Sequence, residues 1–198
     1  MAKKLSEYRK KRNLKKTPKP GGKPNKSSQK NRFVIQMHDA STLHYDFRLE
    51  VNGMLKSWSV PKGLSTDPKE KRLAIQTEDH PLDYANFEGI IPEDNYGAGA
   101  VMIWDKGTYH NLKENEDAQE NISMENSLTD GHATFWLEGE KIKGGYALIQ
   151  TKKRSDDQWL LIKMDDEEAD ARRNPVSTET KSVVSGRSIK EISEEEDE

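Results

Sequence analysis

The sequence predicts a mainly β fold, an antiparallel barrel or sandwich with little helix, on three observations. From Arg32 onward, short runs alternate apolar and polar residues with period 2. Turn signals separate these runs: Asn52-Gly53, Pro61-Lys62-Gly63, Asp105-Lys106-Gly107 and Gly144-Gly145. The strands are many and short, as in closed or sandwiched antiparallel sheets.

Taken in order, residues 1–31 form a basic arm rich in Lys, Pro, Gly and Ser. Within it "LSEYRKKRNLKK" suits a short helix and "TPKPGGKPNKSSQKN" a linker. Strands are expected at about 32–37, 43–51, 54–60, 71–78, 100–105, 133–138, 144–151 and 158–163. Residues 111–130 are acidic and read as a surface insertion with one helical turn, and "DDEEADARR" as a closing helix. The expected division is an arm over 1–31, a β domain over 32–190 and a disordered acidic tail over 191–198. Trp104, Trp136 and Trp159 are expected in the core, and His110 and His132 on the surface.

Composition narrows the function classes. The chain has 198 residues with 32% hydrophobic and 34% charged content, and a mean hydropathy of −1.02. That leaves apolar material for one modest core. No apolar run approaches the ~20 residues that span a bilayer, and the N-terminus lacks a secretory pattern. The absence of cysteine excludes disulfides, Fe–S clusters and thiol nucleophiles, so a metal must use His and carboxylate ligands. A cytoplasmic protein with no membrane contact is expected. Residues 1–32 hold thirteen Lys/Arg against the single Glu7, a net of +12, so the remainder carries −15 of the total −3. A basic arm on an acidic body suits contact with a polyanion as well as it suits a solubilising tail.

The stretch "LHYDFRLEVNGMLKSWSV" carries the chemistry. Asn52-Gly53 is the strongest short-range hairpin signal, because both residues tolerate the positive φ of a type I′ turn. A two-residue turn sets 51 opposite 54, 49 opposite 56, 48 opposite 57, 47 opposite 58 and 46 opposite 59. One face then pairs Phe47 with Trp58, Tyr45 with Val60 and Val51 with Met54. The other carries His44, Asp46, Arg48 and Glu50, with Ser57 and Ser59 opposite Arg48 and Asp46. Small residues beside charges leave room for a pocket, although an alternating strand more often just wets its polar face. "KRLAIQTEDHP" repeats the pattern, with Arg72, Ala74, Gln76, Glu78 and His80 on one parity. If the two polar faces meet, His38, His44, Asp46, Arg48, Arg72, Glu78 and His80 share one surface, expected to line the inside of the barrel. Two His and a carboxylate on rigid strands make an open metal site. Clustered arginines call for an anion to join them. His44-x-Asp46 with a later His also fits an Fe(II) oxygenase, but Arg48 and Arg72 suit phosphate instead. No Walker loop, serine elbow or zincin helix is present.

These residues resemble a known family. "HDAS", "HYDFRLE", "SWSVPKG" and "EDHPLDYANFEG" stand in a run similar to the 3′-phosphoesterase domain of DNA ligase D, the repair ligase of non-homologous end joining. The likeness starts at "LSEYRKKRNLKKTP" and continues through "WLLIKMDD" and "SVVSGRSIKEI". Without polymerase or ligase domains, the sequence looks like a stand-alone member. The resemblance implies a compact antiparallel β-barrel with a polar, cation-lined interior and a few short helices. It implies a Mn²⁺-dependent enzyme, other divalent transition metals being possible, that trims the 3′ ends of DNA or RNA-terminated DNA. Such an enzyme removes a terminal ribonucleoside and then the 3′-phosphate, leaving 3′-OH. By motif match His38, Asp46 and His80 would bind metal, and His44, Arg48 and Arg72 the phosphate, with His44 the proton donor. Lys62, Glu78 and Tyr84 would support these groups, and Tyr8 and Arg12 of the arm would fold over the site. Met37 and Gly145, where a basic residue is common, and Lys19, where an acid is, depart from the family pattern. A separate DNA ligase and an end-binding protein are the expected partners, and a monomer the expected state. The alternative is a non-catalytic end-binding module that recruits a ligase.

Overall fold

A computed structural model describes residues 31–114, 121–151 and 155–194. Tyr8, Arg12, Lys19 and nearly all of the expected basic arm lie outside the described residues, as do the last four residues of the acidic tail. Nine strands form the fold: β1 (Arg32–Asp39), β2 (Leu43–Val51), β3 (Met54–Val60), β4 (Lys71–His80), β5 (Gly89–Ile91), β6 (Gly99–Asn111), β7 (His132–Gly139), β8 (Lys143–Gln150) and β9 (Gln158–Lys163). A 3-10 helix (Leu82–Asn86) precedes β5, and three short helices follow: α1 (Met124–Thr129), α2 (Pro175–Thr178) and α3 (Ile189–Ser193).

All strand pairs are antiparallel, in the order β1-β2-β3-β4-β9-β8-β7-β6. A β1–β6 pairing closes this into an eight-stranded barrel, with β5 added outside on β6. Closure removes the unpaired edges that an open sheet of this size would expose. Among the described residues no helix is long and apolar enough to cross a membrane.

The first hairpin follows its turn chemistry. Asn52 and Gly53 both have positive φ, 51° and 76°. The observed register pairs Val51 with Met54, Arg48 with Ser57 and Asp46 with Ser59. The faces, however, are exchanged relative to expectation. Phe47, Trp58, Phe135, Trp104, Tyr146 and Trp159 form one buried cluster to which all eight barrel strands contribute. Phe47 on β2 stacks on Phe135 of β7 at 5.7 Å. Those strands are not neighbours in the sheet, so the contact crosses the barrel interior. The aromatic parity therefore fills the barrel, and the polar, cation-lined interior is not found. The charged parity lies on the outer wall. There a second apolar cluster, Leu55, Leu82, Tyr84, Phe87, Ile91 and Val101, buries it beneath the chain from the 3-10 helix to β5. Burial of aromatic area outweighs everything a charged interior could offer, since unpaired charge is costly in a sealed core.

Two bulges correct the expected strand parities. Leu55 pairs with His80 but Ser57 with Thr77, so two steps along β3 span three along β4. Before the bulge Ala74 and Gln76 face the barrel core, where Gln76 Oε1 accepts a hydrogen bond from Trp159 Nε1 at 3.1 Å. After it His80 is turned to the outer wall, on the side of Arg48 and Ser57. On β6, Ile35 pairs with Asp105 and Gln36 with Ile103, so the expected turn at Asp105-Lys106-Gly107 is a bulge within one long strand. Asp105 is buried, and its carboxylate accepts the backbone N–H groups of Lys106, Glu140, Lys141 and Ile142, which fastens the β7–β8 turn. That turn precedes Gly144-Gly145, which belong to β8.

Trp104 and Trp159 are core residues, whereas Trp136 is half-buried outside the barrel, its Nε1 donating to Glu138. His110 and His132 are exposed. The insertion does carry a helix, α1, capped by Ser123. Residues 165–173 form turns rather than a closing helix; α3 is the last element of the described residues, with a capping box at Ser188 and Glu191 and with Ile192 buried in the core.

Candidate metal and phosphoryl site

Antiparallel pairing assembles the site as a grid on the outer wall. His38 on β1 lies opposite His44 on β2, and Gln36 opposite Asp46. Asp46 lies opposite Ser59 on β3, Arg48 opposite Ser57, and Ser57 opposite Thr77 on β4. Residues opposite one another share a face, so period-2 spacing on three strands brings these groups together. A cavity of about 360 Å³ opens between this wall and the covering segment. It is lined by His38, His44, Asp46, Arg48, Ser59, Thr77, Glu78, His80 and Tyr84, with Ala40, Ser41, Tyr96 and Gly97 completing the lining.

Three donor atoms converge there. One ligand atom each from His38, His44 and Asp46 lies within 4.8 Å of the others. His38 Nε2 is 3.0 Å from the carbonyl oxygen of Gly97, and His44 Nδ1 is 2.8 Å from that of Thr42. A carbonyl only accepts, so each of these ring nitrogens carries the proton. The opposite nitrogen of each ring then presents a lone pair to Asp46. His38 Nδ1 lies 3.7 Å from Oδ2 and His44 Nε2 3.6 Å from Oδ1. These separations are too long for hydrogen bonds. They suit donors about 2.1 Å from a shared cation. Rings oriented through their far N–H are the usual support of metal-binding histidines. The chain therefore has a His-His-Asp group that could hold a metal, and its N₂O donor set leaves positions open for a ligand.

This group differs by one member from the expected set of His38, Asp46 and His80. His44 converges with the other donors, whereas His80 stands outside the group. Its Nδ1 is engaged with the protein, 2.8 Å from the carbonyl of Glu78, 3.1 Å from Arg48 Nη1 and 3.3 Å from Ser57 Oγ. The ring of His80 sits 4.9 Å from that of Tyr84.

Arg48 is 2% exposed, and its guanidinium organises the site floor. Nε donates to Gln36 Oε1 at 2.8 Å, Nη1 to Ser57 Oγ at 2.8 Å and Nη2 to Asp46 Oδ2 at 2.8 Å. The Tyr84 ring lies over it, 4.9 Å from its centre. One N–H of Nη2 is left to meet a ligand. Burial alone would raise the Asp46 pKa. The Arg48 guanidinium, bonded to the carboxylate, outweighs burial and holds the carboxyl well below the ordinary carboxylate range. Asp46 is thus ionised throughout the neutral range.

Arg72 and Lys62 are not brought to this cavity. They meet in a second recess of about 190 Å³, with Pro61, Lys71 and Leu73, at the ends of β3 and β4. There Arg72 Nη2 contacts Glu70 at 2.6 Å, while its buried Nε has no hydrogen-bond partner among the described residues.

Sequence reasoning missed Gln36, which is fully buried. Its Nε2 donates to the carbonyls of Tyr84 and Phe87 at 3.0 and 2.9 Å while its Oε1 receives Arg48. One amide thus ties the covering segment to the site floor. Its parity with His38, two residues on, was the available signal. Thr77 was hidden by the bulge, and the Thr42 and Gly97 carbonyls have no side-chain signature.

Comparison with known proteins agrees with this geometry. The model of the DNA ligase D 3′-phosphoesterase domain family matches residues 36–150. The multifunctional non-homologous end joining protein LigD of Pseudomonas aeruginosa is 48% identical over 193 residues, 95% of this chain and 22% of that protein. The corresponding DNA repair protein of Mycobacterium tuberculosis is 45% identical over 166 residues, 83% of this chain and 20% of that protein. That of Mycolicibacterium smegmatis is 44% identical over 169 residues, 84% of this chain and 21% of that protein. The chain therefore spans about a fifth of the length of these relatives. Matched over more than half its length by the family model, and lining one cavity with the motif residues His38, His44, Asp46, Arg48, His80 and Tyr84, the chain belongs to the DNA ligase D 3′-phosphoesterase domain family.

Proposed function

We propose that this protein is a Mn²⁺-dependent 3′-end-processing phosphoesterase of end-joining DNA repair. It removes a 3′-terminal ribonucleoside and then the remaining 3′-phosphate, leaving a 3′-OH that a ligase can use. The observation that carries this reading is the convergence of His38, His44 and Asp46 beside a buried arginine in an open cavity.

His38, His44 and Asp46 would hold the cation, which when bound supplies Lewis-acid charge to a phosphoryl oxygen. Arg48 contributes its remaining Nη2 N–H and a fixed positive charge where negative charge develops. In the monoester step water attacks phosphorus, the bond to the 3′ oxygen breaks, and that oxygen takes a proton. His44 cannot supply it while its Nε2 faces the carboxylate as a ligand. The role falls to His80 or Tyr84, with Glu78 at their side in the same lining. Lys62 and Arg72, in the neighbouring recess, suit a phosphate of the DNA strand. The protein acts as a monomer in the cytoplasm, with a separate ligase and an end-binding protein as partners.

A duplex primer-template ending in one ribonucleotide, and another ending in a 3′-phosphate, incubated with the protein and Mn²⁺, test this. The first should be converted to a 3′-phosphate end and then, like the second, to 3′-OH. DNA ends that are bound yet stay unchanged would favour the non-catalytic end-binding module.

A further inference from the structure

Tyr96 is set apart from the other aromatic side chains. Among the described residues every Phe and every other Tyr is buried, whereas Tyr96 is 59% exposed. It stands at the cavity that holds His38, His44 and Asp46, forming part of its lining with Gly97. Its backbone is held firmly. Asn95 N–H bonds to the carbonyl of Pro92 and Ala98 N–H to that of Asn95, each at 3.0 Å, so two turns bracket it. Gly97 adopts φ of +72°, and its carbonyl receives the His38 Nε2 proton at 3.0 Å. The residue that presents the ring is therefore bonded, one position on, to a candidate metal ligand.

An exposed aromatic ring loses hydration free energy that burial would recover, and this fold buries its other Phe and Tyr rings. A ring this exposed at the edge of a charged cavity is suited to a flat partner that arrives with an anion. A phosphate group is met by the charge of Arg48 within the cavity and gains little from an aromatic face. A nucleoside 3′-phosphate brings both parts, its base lying one sugar away from the phosphoryl group.

We propose that Tyr96 is a stacking platform for the 3′-terminal nucleobase, so that the site recognises a nucleotide end rather than any phosphomonoester. Stacking tolerates any base because every base offers a π face. The platform then confers preference for nucleotide ends without sequence preference. The inference rests on the phosphoesterase reading above and deepens it by naming a contact outside the phosphoryl group.

Steady-state kinetics on two duplexes test it, both ending in 3′-phosphate, one with a natural terminal nucleotide and one with an abasic terminal sugar. Removing the base is expected to raise the wild-type KM at least about fivefold. In Tyr96→Ala the KM for the natural end should rise, and the difference between the two ends should vanish. Tyr96→Phe should keep the wild-type ratio, since stacking needs the ring and not the hydroxyl. A merely structural role for the tyrosine would change both substrates alike and leave their ratio intact. A Tyr96→Ala protein that still prefers the natural end overturns the proposal, as does a wild type that turns over both ends equally well. A wild type inert on both would instead refute the phosphoesterase reading on which the proposal stands.

Discussion

Asp46→Asn is expected to lose divalent-cation affinity by more than about a hundredfold while retaining the fold. Removing a mere outer-shell partner of a metal ligand costs about 10- to 100-fold, and Asp46 is the group both imidazoles face. The asparagine oxygen can still accept from Arg48 Nη2, so the buried guanidinium keeps a partner and the site floor stays ordered. Complete removal in Asp46→Ala would strand that charge, at a stability cost of about 3–5 kcal/mol. The carboxyl's pKa is lowered by folding, so its ionised form adds stability that is fully present above its unfolded pKa of about 4 and is lost as pH falls through the lower folded value. The stability difference between wild type and Asp46→Asn should accordingly be constant at neutral pH and shrink below about pH 4. Calorimetric metal titration and urea unfolding across pH measure the two effects. Unchanged cation binding in Asp46→Asn would place the metal elsewhere.

Phe47→Ala is expected to lower stability by about 3–5 kcal/mol. Its ring packs between Trp58, at 6.2 Å, and Phe135 on the far wall, at 5.7 Å. Truncation therefore opens a cavity in the middle of the barrel, where the closed sheet cannot collapse to fill it. Trp136→Ala, outside the barrel, should cost clearly less. Urea unfolding followed by tryptophan fluorescence compares them. A loss under about 1 kcal/mol for Phe47→Ala would mean that the aromatic face is no sealed core, far below the usual cost of such truncations.

These two residues also show what was legible in the sequence. Asn52-Gly53 dictates a two-residue turn, and with it the register that pairs Phe47 with Trp58 and Asp46 with Ser59, as found. The small Ser57 and Ser59 opposite the charges were read as leaving room for a pocket; Ser59 lines the cavity, and the Ser57 hydroxyl accepts from Arg48. Alternation says that two faces differ but not which one a closed sheet curves around. That choice depended on partners distant in sequence, such as Phe135 and Trp159, which need the charged face outside. The cover that then buries the charged face, Leu82 to Ile91, has no regular period and left no signal of its role. The β4 bulge was equally invisible, since an inserted residue alters no composition. It sends Ala74 and Gln76 inward and His80 outward from a strand that reads as one uninterrupted parity. Which histidine joins His38 and Asp46 in the candidate metal group needed finer detail still. His44 and His80 share residue type and motif context. Both turn Nδ1 to a backbone carbonyl two residues back, and they differ in where the other side of the ring then points, which for His44 is the Asp46 carboxylate.

In the proposed reading His38, His44 and Asp46 hold the cation while His80 serves the phosphoryl group. Titration of Mn²⁺ into the wild type, His44→Ala and His80→Ala, followed by the electron paramagnetic resonance of the free ion, tests it most directly. His44→Ala should bind more than about a hundredfold more weakly, beyond the usual effect of an outer-shell change. His80→Ala should bind as the wild type does yet fail to convert a 3′-phosphate end. Loss of Mn²⁺ binding in His80→Ala with binding retained in His44→Ala would contradict the assignment and restore His80 as the third ligand.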